Sequence, residues 1–223
     1  MVEHVEIRPV LYRWPPAAQF GRVVPKTKFY EHGNVRTALR EKFVEDVQRI
    51  TWAYKLAEST IRLKGTEAVP EIQVFAVETK GSDVPDDVLA AIDKSVHFPI
   101  LFEISKGEEV RTVAAQKTLG GSTPKLGTYF RTDWLPVAAD RQPLPAAIDL
   151  PALYESLLTS LLPVATRRGE SVSDATGRMD RARTLEREIA ALERKLRNEP
   201  QLNRKVELRK ALKERQAALA GLV

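Results

Sequence analysis

The stretch EDVQRITWAYKLAEST, Glu45–Thr60, decides how the first half of the chain is read. Going back to Leu39, the apolar residues are Leu39, Phe43, Val47, Ile50 and Tyr54, spaced four, four, three and four. That is the spacing of one helical face. It predicts a helix from about Val35 to Ala57, with Asn34 as its N-cap. At about 100° per residue, Trp52 then falls opposite the apolar stripe, beside Glu41, Glu45 and Gln48. An indole on a charged face either packs beneath another part of the chain or anchors a partner. The Leu-rich segment 151–163 and the C-terminal helices are the internal candidates to cover it.

Outward from this stretch the period changes. TIRLK (Thr60–Lys64) is a short strand candidate, and EIQVFAVET (Glu71–Thr79) a stronger one. The near-continuous apolar middle of the second suggests a central strand covered on both faces. VPDDVLAAIDKSV reads as a short helix, with Pro85 and two aspartates in its first turn. Ile100–Ser105 and Val110–Lys117 read as a hairpin around the turn KGEE. A long Gly/Pro-rich connection follows, pinned by Phe130 and Trp134, and then a helix over Pro151–Pro163. Before the central helix, prolines at 15, 16 and 25 interrupt one or two short strands.

The tail has a seam pattern. Leu185, Ile189, Leu192 and Leu196 lie before Pro200, and Leu208, Leu212, Leu219 and Leu222 after it. Two seams around a proline suggest an antiparallel helical hairpin or short coiled coil, with a single kinked helix as the competing geometry. Each seam is about two heptads long, so it needs a covering surface. The expected organisation is an α/β body (a mixed sheet with flanking helices) over 1–165, a polar linker over 166–177 and a basic hairpin over 178–223.

The charge follows that division. The chain of 223 residues carries a net charge of +5. Arg178–Arg215 holds thirteen Lys/Arg against seven Asp/Glu, a net of +6, while the remainder is close to neutral. A localised excess of this kind suits nucleic acid, and it also suits a solvated helical surface. The chain has no cysteine, so disulfides and thiolate metal sites are excluded. No basic segment followed by an apolar run opens the sequence, and no apolar run approaches the roughly 18 residues of a membrane span. A cytoplasmic protein without membrane contact is expected.

Several stretches together resemble a known family. GRVVPKTKFY, REKFVEDVQRITWAYKLAESTIRL, EIQVFAVETK, VLAAIDKSVHFPILFEI and LNRKVELRKALKERQAAL are similar to bacterial proteins grouped as family 4391 of the domains of unknown function. The resemblance runs in order over nearly the whole chain. It implies no reaction and transfers no functional residue. Members are often encoded near DNA methyltransferases and helicases of restriction-like defence systems, which implies a role beside DNA-processing enzymes.

The chemistry-bearing residues are sparse. His4, His32 and His97 lie far apart, without a second metal-type residue at ligand spacing. No P-loop and no nucleophile elbow appear, and LGGSTPKLG reads as a flexible loop. No cofactor and no metal are expected. VETK places Glu78 and Lys80 at a strand end, locally resembling metal-dependent nucleases, with Glu71 as the nearest further acid on offer. Lys26 and Lys28 beside Phe29 and Tyr30 suit phosphate contacts and base stacking. Arg194, Arg197, Arg204, Lys205 and Arg209 form a possible phosphate track in the tail, diluted by glutamates.

The expected function is a non-enzymatic accessory subunit of a DNA-directed defence or restriction-like system. It would dock a helicase or methyltransferase through Trp52, Leu185, Ile189, Leu192, Leu196, Leu208 and Leu212, with DNA as a further ligand. A Mg²⁺-dependent nuclease using Glu71, Glu78 and Lys80, and a free-standing nucleic-acid-binding module, are the alternatives.

Overall fold

A computed structural model describes residues 11–32, 36–119, 124–163, 166–167 and 169–222, without the side chains of 30–32. Asn34 and His4 lie outside the described residues. The chain divides into two compact units, 1–165 and 166–223.

The first unit opens with β1 (Leu11–Tyr12), a single 3₁₀ turn, β2 (Gln19–Val23), α1 (Thr27–His32) and α2 (Thr37–Asp46). It continues through β3 (Val47–Leu56), α3 (Glu58–Ile61), β4 (Ile72–Thr79), α4 (Asp86–Ser95), β5 (Ile100–Lys106) and β6 (Glu109–Thr118). β7 (Lys125–Arg131), β8 (Leu135–Pro136), β9 (Arg141–Gln142) and α5 (Leu150–Thr159) complete it. Six strands lie in the order β2-β3-β4-β5-β6-β7, with β8 as a seventh against β6, and β1 pairs β9 separately. Only β4 and β5 run parallel within the large sheet, because α4 carries the chain from one to the other. The remaining neighbours are antiparallel, so the sheet is mixed.

The opening stretch is not a helix. Helical structure stops at Asp46, and Val47–Leu56 is a ten-residue strand between β2 and β4. The reason lies in two β-bulges, one between Val47 and Arg49 and one between Trp52 and Tyr54. A bulge adds one residue to a strand. Val47 and Ile50 therefore reach the same core cluster at a spacing of three, which reads as a helical step. After the second bulge Tyr54 pairs with Val74 and so faces the other way from Trp52, which pairs with Phe75. Trp52 packs against the same core cluster as Val47 and Ile50, so it is on the core face of a strand, not on the charged face of a helix. β-branched and aromatic residues fit this half-buried pleated surface better than a helix.

TIRLK is not a strand either. Thr60 sits in α3, where its hydroxyl accepts from the Ala57 amide (2.9 Å), and Arg62 follows with φ of 59°. Lys64 makes only an isolated bridge to Asp149. The Gly/Pro-rich connection supplies β7, so PKLG is edge strand rather than loop from Lys125 onward. Phe130 is buried and Trp134 is packed against the core, and the cations of Lys106 and Arg111 each rest 4.6 Å from the Trp134 ring. β4 is buried on both faces between β3 and β5, α4 covers one face with Leu89 and Ile92, and the β5–β6 hairpin is present.

In the second unit α6 (Val172–Asn198) and α7 (Leu202–Ala220) pack together. α6 begins inside the stretch expected as linker, because Ser171 caps it by accepting from the Asp174 amide at 3.1 Å. The helices are antiparallel: Arg215 meets Glu188 at 2.6 Å, and Arg178 donates to the Leu222 carbonyl at 3.2 Å. Glu170 closes the base of the hairpin, accepting from Arg178 Nε (2.7 Å) and from the Arg167 amide (2.9 Å). These bonds, Arg178 first, hold the Glu170 carboxyl down at about 2 from its ordinary 4.5.

A carboxyl lowered on folding stabilises above its unfolded pKa and loses that contribution as pH falls through the folded one. Glu170→Gln is therefore expected to be less stable than the parent at neutral pH. The difference between the two, followed by far-ultraviolet circular dichroism, should close between pH 4.5 and about 2. A difference that stays constant over that window would show that the pair is not coupled to folding.

Among the described residues no helix is long and apolar enough to cross a membrane.

Candidate functional site

A groove of about 390 Å³ lies in the first unit beside Trp52. Its walls come from the end of β2, the start of α1, the middle of β3 and β4, and the turn after α4. Arg22 and Lys28 are exposed at its rim, with His97 beside Phe98. Gly21, at φ of 66°, occupies the bulge between Gln19 and Arg22, a conformation that favours glycine. Arg22 pairs directly with Trp52 across the strands, and its guanidinium lies 5.3 Å from the Phe20 ring. Phe20 packs on Trp52 with centroids 4.1 Å apart, and Trp52 lies parallel to Phe75 at 6.2 Å. The Trp52 indole N–H donates to the Tyr54 carbonyl at 3.0 Å. The groove therefore has a braced aromatic wall and a cationic rim.

Behind the aromatic wall lies a buried polar lock. The Lys117 ammonium, with no exposed side-chain surface, donates to Asp93 Oδ1 (2.9 Å) and to the carbonyls of Asp93, Val96 and Phe98. Tyr129 donates its hydroxyl to Asp93 Oδ2 at 2.9 Å. Burial pushes the Asp93 carboxyl up and the Lys117 ammonium down, while each pulls the other back toward its charged form. Burial, and then the Asp93 charge, raises the Tyr129 phenol. Tyr154 bonds to the Ala115 carbonyl and the Lys117 amide where β6 bulges, satisfying the backbone there. The ammonium caps the carbonyl end of α4 and holds the 96–98 turn that walls the groove.

The residues singled out from the sequence separate into groups. Trp52 and Lys28 meet at the groove. Lys26 does not join them: its ammonium donates to the Val47 carbonyl, and Lys80 donates to the Val44 carbonyl at 2.7 Å, so both cap the end of α2. Burial, and then Lys80, lowers the Lys26 ammonium.

The nuclease trio is not assembled. Glu71 and Glu78 stand at opposite ends of β4, roughly 23 Å apart at about 3.3 Å per residue. Glu71 is buried and bound to Gln73 and Lys55 (2.9 Å), and Glu78 faces Arg49 at 3.2 Å. Among the described residues no three His, Asp or Glu side chains gather as a metal-ligand group.

In the hairpin, Leu185, Ile189, Leu192, Leu196, Leu208 and Leu212 are all half-buried along the α6–α7 seam. Arg194, Arg197, Arg204 and Arg209 are exposed and Lys205 is half-buried. Arg194 and Arg204 share a surface notch with Glu199 and Glu207, which breaks a continuous phosphate track.

Arg22, Phe20 and Phe98 were not singled out from the sequence, and His97 was weighed there only as a metal ligand or base. QFGR did alternate aromatic and basic residues around a glycine, a usable signal. Nothing local places residues 97–98 beside residue 22.

Comparison with curated proteins found no match, and comparison with solved structures found none either. One family model, described as a domain of unknown function (DUF4391), matches residues 13–219. That match takes in nearly all of both units, and the chain belongs to this family.

Proposed function

We propose that the chain is a non-enzymatic, cytoplasmic accessory subunit that docks a protein partner through the α6–α7 hairpin. One observation carries the reading: none of α7 is buried, and its apolar seam with α6 is only half-covered along its length. Leu202 and Val206, 72% and 58% exposed, add apolar surface on another side of α7. Two helices alone leave such stripes in water, and a third element covering them gains about 25 cal/mol for each Å² of apolar area removed. The resemblance to proteins encoded beside DNA-processing enzymes supports a helicase or DNA methyltransferase as the partner. The separation of Glu71 from Glu78 and Lys80 favours this reading over the nuclease.

The test is recovery of the tagged chain from its native host after nuclease treatment. Stoichiometric recovery of a helicase or methyltransferase is expected, and Leu202→Asp with Val206→Asp should reduce it by about tenfold, the equivalent of roughly 1.4 kcal/mol. Both side chains are exposed, so the double variant should fold normally. Undiminished recovery, or recovery of the chain alone, would remove the support for hairpin docking. Glu78→Ala is the control that should change nothing.

A further inference from the structure

We propose that the face of α7 turned away from α6 docks an acidic amphipathic helix of the partner, with aliphatic side chains on Leu202 and Val206 and carboxylates on Arg209, Lys210 and Lys213. This rests on hairpin docking as the function and names the chemistry of the surface that docks.

α7 carries two stripes. Leu208, Leu212 and Leu219 fall on one side of the helix and are half-buried in its seam with α6. At about 100° per residue, Leu202, Val206, Arg209, Lys210, Lys213 and Ala217 fall together in a sector of about 100° on the side away from that seam. All six are exposed. Glu207 and Glu214 lie beyond the edge of the sector, so it holds three cations and no carboxylate. Among the described residues Arg178 pairs with Glu170 and Arg215 with Glu188, whereas no carboxylate pairs with Arg209, Lys210 or Lys213.

Apolar side chains flanked by unpaired charges of one sign select a helix with apolar side chains flanked by the other sign, as at the edge positions of helical bundles. The methylene stems of the three cations add apolar cover to such a contact. From Leu202 to Ala217 the stripe runs about 22 Å at about 1.5 Å per residue, which suits a helix laid alongside.

Other occupants fit less well. Two copies of this stripe would oppose three cations with three, with no carboxylate between them. A nucleic acid would satisfy the cations but set Leu202 and Val206 against phosphates, with no aromatic ring in the stripe to stack a base. A lipid surface needs a broader apolar face than two aliphatic side chains supply.

The test is a titration of the full chain into a fluorescein-labelled peptide of about three heptads, with leucine at a and d and glutamate at e and g, read by anisotropy. Its lysine counterpart and a shuffled acidic peptide of the same composition are the comparison probes. The acidic amphipathic peptide is expected to bind at least about tenfold more tightly than either, and more weakly as salt rises. Leu202→Asp with Val206→Asp should weaken it about tenfold. Arg209→Glu with Lys213→Glu should lose the acidic peptide and gain the lysine one, a gain that a misfolded chain would not show.

Four results overturn the proposal: no binding of the acidic peptide, equal binding of the lysine peptide, equal binding of the shuffled peptide, or indifference to the charge reversal. Displacement of the peptide by an equal concentration of oligothymidine also overturns it, in favour of nucleic acid. So does a dimer in sedimentation that Leu202→Asp with Val206→Asp abolishes, in favour of a second copy. If the titration fails while the host partner is still recovered and still lost with Leu202→Asp and Val206→Asp, hairpin docking stands and only the acidic helix falls. Recovery of the chain alone, with the peptide bound as expected, counts against the docking function and leaves the specificity of the stripe in place.

Discussion

Lys117→Ala is expected to destabilise the first unit by about 3–5 kcal/mol, the range for breaking one side of a buried ion pair. The substitution leaves the Asp93 carboxylate fully buried with Tyr129 as its remaining side-chain partner. It also strips a donor from three carbonyls at the end of α4, those of Asp93, Val96 and Phe98. The Asp93 carbonyl keeps the Val96 amide (3.3 Å), whereas the part-buried carbonyls of Val96 and Phe98 lose the ammonium, at a cost of up to about 1–3 kcal/mol each, not strictly additive. The charge and the capping parts are separable. Pairing Lys117→Met with Asp93→Leu removes both charges, and replacing buried pairs by apolar residues is often neutral. Here recovery should be only partial, because the carbonyls of Val96 and Phe98 remain without the ammonium. Urea unfolding followed by tryptophan fluorescence reports on this unit alone, since Trp14, Trp52 and Trp134 all lie within it. A loss under about 1 kcal/mol for Lys117→Ala would mean that water replaces the ammonium at little cost, and the lock would have no structural role.

The second large effect is expected at Phe102. Its ring is fully buried and stands between Phe75 and Tyr129, 6.4 Å from each. Phe102→Ala should cost about 3–5 kcal/mol, from lost transfer energy and the cavity left behind. Phe102→Leu, which keeps much of the volume, should cost under about 1.5 kcal/mol. The aromatic row runs from Phe20 at the surface through Trp52 and Phe75 to Phe102. Emptying its inner end removes the support behind Phe75, so Trp52 emission should shift to longer wavelength even before unfolding. A full loss of stability with unchanged Trp52 emission would uncouple the core from the groove wall.

Much of the architecture was legible from local pattern. β4 showed itself through its near-continuous apolar middle, because the middle of a strand buried on both faces has few polar positions. α4 did so through its first-turn aspartates, and the hairpin through leucine seams around Pro200. β3 was misread because its bulges turned strand spacings of two into three, at Val47 and Ile50. β7 was hidden by glycine and proline, which mark loops but are tolerated on an edge strand such as this one. Of the groove, Lys28 and Trp52 stood out as residue types. Arg22 and Phe98 did not, and His97 stood out only as a histidine, because the walls join segments up to about 76 positions apart, brought together by strand pairing.

The sequence by itself determined the mixed α/β class, the basic helical hairpin, the family and the lack of thiol chemistry. These follow from composition and from interactions between near neighbours in the chain. Only the tertiary structure decided that Trp52 faces the core, that Lys26 and Lys80 cap a helix, and that Lys117 is buried against Asp93. Each of these depends on segments distant in the chain meeting, and the face of Trp52 depends on strand register. One residue added by a bulge exchanges the two faces of a strand, and no window of sequence records which partner strand absorbs it.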